Sequence, residues 1–119
     1  MILGIGIDLV ELKRIEQAVI KNERFIARIL TKSEQQVYNK LPTFKRQTEF
    51  LAGRFATKEA FAKAAGTGIG KLSFQDIEIL TKDTGAPFIN ASGYKKEQIL
   101  VSISHSKEYA VAQVILHDD

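Results

Sequence analysis

Residues 2–10 read ILGIGIDLV. Leu3, Ile5, Ile7 and Leu9 alternate with Gly4, Gly6 and Asp8. A period of two predicts a strand. One face of it is apolar; the other is a smooth glycine stripe ending in a carboxylate. Glycines inside a strand let another backbone or side chain come close. The stripe is not a dinucleotide fingerprint, because the third glycine of G-x-G-x-x-G is missing and the glycines lie within the strand, not in a turn that opens a helix. A Walker A loop is also absent from the sequence. Asp8 has two readings at this point: a cap for the following helix, or a functional carboxylate.

Outward from this strand, residues 11–30 carry Leu12, Ile15, Val19, Ile26, Ile29 and Leu30 at helical spacing and predict one helix. Thr31 or Ser33 caps a second helix, with Glu34 in the capping-box position, and Pro42 marks its end. A third helix runs from about Gln47 to Ala65, closed by Gly66. Then come a strand over Phe74–Leu80, a turn at Asp83-Thr84-Gly85 and a short strand from Pro87 to Asn90. A C-terminal hairpin follows, Ile99–Ser104 and Tyr109–Leu116. The order predicts an α+β fold, an antiparallel sheet with helices packed on it. With 119 residues and no linker or repeat, the chain reads as a single domain over 1–119.

Composition bounds the chemistry. There is no cysteine, which excludes disulfides, thiolate zinc sites and cysteine nucleophiles. No apolar run approaches the ~20 residues of a membrane span, and the N-terminus has no signal pattern, so the expected compartment is the cytoplasm. The net charge of +3 hides an asymmetry: residues 1–71 hold thirteen Lys/Arg and seven Asp/Glu, residues 72–119 four and seven. Such a basic half suits an acidic or phosphorylated partner, although an unevenly charged solvated surface would look the same.

Two constellations stand out. On the third helix Ala52, Ala56, Glu59, Ala60 and Lys63 share one broad face, and large apolar groups cover much of the rest. Glu59 and Lys63 are then charges among alanines. They form either a surface ion pair of little worth or a metal-binding carboxylate beside a cation for phosphate. Two oxygen donors without a cysteine or histidine cluster favour magnesium over zinc. Arg54 and Lys58 lie on another side. The Gly66–Gly70 loop could cradle phosphate with backbone N–H groups, or merely connect. His105 sits in a Ser-His-Ser bend that is either an ordinary turn or, next to Lys107, a site for an oxyanion. The second constellation is a basic stripe on the first helix: Arg14, Lys21, Phe25 and Arg28 recur at helical spacing and Arg24 flanks them. It fits a solvated face, an acidic helix or a polyanion.

GIGIDLVELKRI (4–15), FLAGRFATKEAFAKAAGTGIG (50–70) and VSISHSKEYAVAQV (101–114) together resemble the bacterial holo-[acyl-carrier-protein] synthases, the small trimeric branch of the 4′-phosphopantetheinyl transferases. The likeness covers nearly the whole chain. It implies transfer of the phosphopantetheine arm of coenzyme A to a serine of apo acyl carrier protein in support of fatty acid synthesis. Asp8 and Glu59 would hold Mg²⁺ on the pyrophosphate, and Lys63 would reach the phosphates. Arg54, Lys58, Gly66, Gly68, Pro87 and His105 would line the coenzyme A site. Arg14, Lys21, Arg24, Phe25 and Arg28 would dock the acidic carrier. The family has apolar methionines where this chain has Ala18 and Asn22. A homotrimer with sites between subunits is implied, with no nucleic-acid or membrane partner. The competing reading is a basic nucleic-acid-binding module, for which no reading motif is present.

Overall fold

The first strand forms where its alternation places it, as β1 over Ile2–Glu11. It pairs antiparallel with β5, Tyr109–His117, and β5 pairs antiparallel with β4, Ile99–His105. The coordinates are a computed structural model that describes residues 1–118. Between β1 and the hairpin lie α1 (Leu12–Lys21), α2 (Arg24–Ile29), α3 (Lys32–Lys40), α4 (Phe44–Ala65), β2 (Ile77–Thr81) and β3 (Pro87–Ala91). The fold is α+β as expected.

The 22-residue α4 organises the molecule. Thr43 caps it by accepting from the Arg46 N–H, and Gly66 ends it at φ +77, where a glycine costs least. The helix lies directly on the glycine face of β1. A Cβ at Gly6 would stand 1.9 Å from the Ala60 carbonyl oxygen, and one at Gly4 2.0 Å from that of Ala64. Ala52, Ala56 and Ala60 are wholly buried beneath it. Farther toward its start the helix reaches β4, where a Cβ on Gly53 would touch Ile103. The inner sheet face (Val10, Ala110, Ala112, Val114, Leu116 and Ile99) joins one core with Leu51 and Phe61 of α4 and with Ile77, Ile79 and Ile89.

The apolar face of β1 therefore points outward. Leu3, Ile5, Ile7 and Leu9 are 59%, 59%, 57% and 63% exposed, and Leu100 and Tyr109 extend the same face. Two expectations need correction. The strands form two sheets, not one: β2 and β3 pair only with each other, joined by the tight turn that Gly85 closes on Lys82. The first helix is also two. Asn22 leaves helical geometry at φ −155, and its side-chain oxygen accepts the Arg24 N–H, a local bond that competes with helix continuation. The second break falls where Leu30 turns extended, ahead of a capping box in which Thr31 and Glu34 satisfy each other's backbone N–H.

The seat under α4 gives a direct test. Gly6→Ala has no flexible side chain to displace, only helix backbone, and is expected to cost more than about 3 kcal/mol. Thermal unfolding followed by circular dichroism should show a large drop in Tm or no folded protein; a Tm within a few degrees of the parent would contradict the close approach.

Candidate active site

The glycine stripe continues into Asp8, on the same face two residues beyond Gly6. Asp8 does not cap α1; the N-cap is Glu11, with no side-chain cap bond. Instead the carboxylate, only 18% exposed, meets Lys63 of α4 at 3.2 Å. The Lys63 ammonium also donates to the Ile7 carbonyl at 2.9 Å. One cation thus stitches the last turn of α4 to β1 and keeps Asp8 facing the helix.

Glu59 stands one helical turn before Lys63, half-buried. Its carboxyl is pushed above its ordinary range, first by burial and then by the nearby charge of Asp8, with Lys63 opposing. Two carboxylates are thus held close enough to repel, with one lysine between them. Ionising both is unfavourable unless a cation joins them. Among the described residues no group of three or more acidic or histidine side chains converges. The pair suits a hard divalent ion that keeps waters and takes ligand oxygens for its remaining positions.

A second cluster lies toward the start of α4. Leu41, Arg46, Glu49, Phe50, Gly53 and Arg54, with Ile103 and His105 of β4, line a cleft of about 200 Å³. The imidazole Nδ1 of His105 is 3.7 Å from Glu49, which is also 4.0 Å from Arg46. Arg54 lies with its guanidinium 4.2 Å over the Phe50 ring. Its Nε is buried without a hydrogen-bond partner, the one such side-chain atom among the described residues. A buried, unsatisfied guanidinium nitrogen beside Arg46 and His105 is a place for an anion. Arg46 and Glu49 were not singled out from sequence. Their spacing from Gly53 and Arg54 on one side of α4 is the signal that could have found them.

The structure does not bring the two clusters together within one chain. Asp8 is on β1 and His105 on β4, with β5 between them. Along α4 the ten residues from Glu49 to Glu59 span roughly 15 Å.

Other expected residues fall elsewhere. Lys58 is not a ligand-facing cation. It is wholly buried, and its ammonium donates to Glu34 at 2.6 Å, to the Ile29 carbonyl at 2.6 Å and to the Phe74 carbonyl at 3.1 Å. Burial pulls its pKa down, with Glu34 opposing. The loop after α4 is not an N–H cradle either: the Gly66 N–H donates to Lys63, those of Thr67 and Gly68 to Ala62, and that of Gly70 to Leu72. They close the helix instead, as a glycine C-cap does. Gly66 and Gly68 can still border a ligand, through open space at their α-carbons. Pro87 starts β3 in a separate groove with Lys82, Phe88, Lys96 and Leu100.

The basic stripe survives the helix break. Lys21, Arg24, Phe25 and Arg28 line one groove with Ala18 and Asn22, where α1 meets α2. Arg14 is exposed on α1 outside that lining. Phe25 is half-buried, packed on Phe55 of α4, which stacks in turn on Phe74.

The chain is similar to known proteins over nearly its whole length. The family model of the 4′-phosphopantetheinyl transferase superfamily matches residues 4–114. A holo-[acyl-carrier-protein] synthase of Oceanobacillus iheyensis is 58% identical over 116 residues, 98% of this chain and 97% of that protein. The Bacillus subtilis one is 55% identical over 117 residues, 98% and 96%. Among solved structures, a Bacillus anthracis holo-(acyl-carrier-protein) synthase in complex with CoA (3′,5′-ADP) superposes with a TM-score of 0.87 at 53% identity, covering 98% of this chain and 96% of that one. A Helicobacter pylori holo-[acyl-carrier-protein] synthase in complex with coenzyme A gives 0.82 at 38% identity, over 95% and 99%. With full-length likeness and the Asp8, Glu59 and Lys63 constellation in place, this chain belongs to the holo-[acyl-carrier-protein] synthases of the 4′-phosphopantetheinyl transferase superfamily.

Proposed function

We propose that the chain moves the 4′-phosphopantetheine of coenzyme A onto a serine hydroxyl of apo acyl carrier protein, leaving adenosine 3′,5′-bisphosphate. The observation that carries this reading is the pair Asp8 and Glu59, held close against their mutual repulsion with Lys63 beside them. Asp8 and Glu59 would hold Mg²⁺, which would supply charge neutralisation at the pyrophosphate. Lys63, 53% exposed and already at the site, can turn its ammonium to a phosphate oxygen. Either Glu59 itself or a water held at Asp8 would take the serine proton. The serine belongs to the carrier, so this chain needs no nucleophile of its own.

The anion cleft of Arg46, Arg54 and His105 lies too far along α4 to serve the same chain's carboxylates. The outer sheet face supplies a reason: Leu3, Ile5, Ile7 and Leu9 of β1, with Leu100 and Tyr109, form an exposed apolar patch of the kind that marks an interface. A homotrimer built on this face would set one chain's anion cleft beside its neighbour's carboxylates, and each site would be shared. The groove of Lys21, Arg24, Phe25 and Arg28 would receive the acidic carrier, with charge steering the encounter. Among the described residues no helix is long and apolar enough to cross a membrane.

Incubation with apo carrier, coenzyme A and Mg²⁺ should raise the carrier's mass by one phosphopantetheine, and EDTA should stop it. Asp8→Ala and Glu59→Ala should each lower turnover at least ~100-fold while leaving the circular dichroism spectrum intact. Near-parent activity in either variant would remove that residue from the site.

Glu59 also sets a pH dependence. Its folded pKa is raised, so the folded protein holds the proton more tightly than the unfolded one, and stability falls as pH rises through that window. Without metal, Glu59→Gln should melt above the parent at pH 7, and the gap should close as pH falls below the ordinary carboxylate value of 4.5. A variant that melts below the parent at pH 7 would reverse the sign.

Sharing of the site is tested by complementation. Asp8→Ala and Arg54→Ala, each inactive alone, should regain part of the parent activity when mixed after dissociation and reassembly. No recovery from hetero-oligomers of confirmed composition would place the whole site in one chain.

A further inference from the structure

The residue before Glu59 does something the reaction itself does not require. Lys58 leaves α4 on the side away from the sheet and runs through the core to the end of α2. There it donates to the carbonyl of Ile29, the last residue of that helix. Glu34 of α3 balances its charge and accepts in addition from the Thr31 and Ile79 N–H groups. The third Lys58 proton goes to Phe74, in the single 3-10 turn ahead of β2. From that same turn Gln75 sends its amide nitrogen to the Ala27 carbonyl at 2.9 Å and the Leu30 carbonyl at 3.0 Å.

The last carbonyls of a helix have no partner within it. α2 has only six residues, too few to be stable alone. Its C-terminal carbonyls at Ala27 and Ile29 are satisfied from outside by Gln75 and Lys58, and that of Leu30 by Gln75 together with Gln35 of α3. A cation there also complements the helix dipole. On the other side Phe25 packs on Phe55 and Phe55 on Phe74. The short helix that carries Arg24, Phe25 and Arg28 is thus fastened to α4 one residue from Glu59.

We propose that Lys58, with Glu34 and Gln75, is a positioning element for carrier docking. It fixes the orientation of α2 relative to Glu59, so that a carrier seated on Arg24 and Arg28 presents its serine at the metal carboxylates. The inference rests on the docking assigned above to the α2 groove. Lys58 touches neither substrate nor metal; it acts through the backbone of α2.

Steady-state kinetics on the full-length protein separates the possibilities, with carrier and coenzyme A varied independently and Tm recorded for each variant. Arg28→Glu is the control for docking and should raise the carrier KM. Gln75→Ala changes an exposed side chain and should raise the carrier KM about threefold to tenfold, with the coenzyme A KM and kcat within twofold of the parent. Lys58→Met alone leaves Glu34 buried without its counter-charge and is expected to fold poorly. The double variant Lys58→Met/Glu34→Gln removes both charges at nearly constant shape. The amide that Glu34→Gln introduces can accept from only one of the Thr31 and Ile79 N–H groups, so the double variant should recover part of the lost Tm, yet keep a carrier KM raised about tenfold with the coenzyme A KM unchanged. A parent-like carrier KM in the folded double variant would overturn the proposal. So would a fall in kcat with both KM values unchanged, which would mean that Lys58 acts on Glu59, or a parallel rise of both, which would mean general loosening. If Arg28→Glu leaves the carrier KM unchanged while the parent transfers normally, docking at α2 fails, and this inference with it. A parent that transfers nothing would instead sink the proposed function.

Discussion

The contact on which the rest depends is backbone against backbone: the glycine face of β1 beneath α4. Two strand residues advance about 6.6 Å and four helical residues about 6 Å, so strand and helix stay nearly in step where Gly4 meets Ala64 and Gly6 meets Ala60. One more strand step reaches Asp8. By then the flank of α4 facing β1 carries Glu59 and Lys63. The carboxylate pair is therefore a product of how closely two backbones can lie. Any side chain at Gly6 would lift the helix and part Asp8 from Glu59 and Lys63 together. The same contact explains why β1 is apolar on its outer face: the inner face holds no side chains before Asp8, so the hydrophobic residues of the strand must point away from the helix.

Much of this was legible in the residues. Alternation located β1, the capping box located α3, and Gly66 located the end of α4. The spacing of Glu59 and Lys63 placed both among alanines on a buried helix. What the sequence hid was long-range. Glu34 reads as half of a capping box, and it is that; but the same carboxylate also neutralises Lys58 from twenty-four residues away. Nothing local distinguishes Lys58, which turns into the core, from Arg54, which lines a cleft. Four positions apart, they look like one cationic pair, and only the packing of α2 and α3 separates them. The break at Asn22 was hidden for a related reason. Its cause is a single side-chain bond to the Arg24 N–H, while the apolar spacing runs on across it.

The glycine loop after α4 has two readings in the sequence, a phosphate cradle or a connector, and its hydrogen bonds favour the second: the N–H groups of Gly66, Thr67 and Gly68 already close the helix on Lys63 and Ala62. A helix C-terminus needs donors for its last carbonyls before it can spare any for a ligand. In the proposed site phosphate recognition would then fall to side chains: Lys63 on one flank of α4, and Arg46, Arg54 and His105 near its start.

Two features of the chain are unfavourable as they stand, and they call for different remedies. A pair of half-buried carboxylates with one lysine lacks further positive charge. On the outer sheet face apolar side chains lack cover, and on the other side of the sheet the Arg54 guanidinium nitrogen lacks an acceptor. Neither can be relieved by rearranging this chain, because α4 is held on the glycines and Lys58 is committed to Glu34. Burial of the sheet face by a second copy removes the largest apolar exposure and can place the neighbour's anion cleft next to the carboxylates. In the proposed function a pyrophosphate with a divalent ion would satisfy both clusters at once, Asp8 and Glu59 holding the cation and the arginines taking the negative charge. The costs of the isolated chain are thus complementary to one another, and that complementarity is the strongest physical argument for a site assembled between subunits around a phosphorylated ligand.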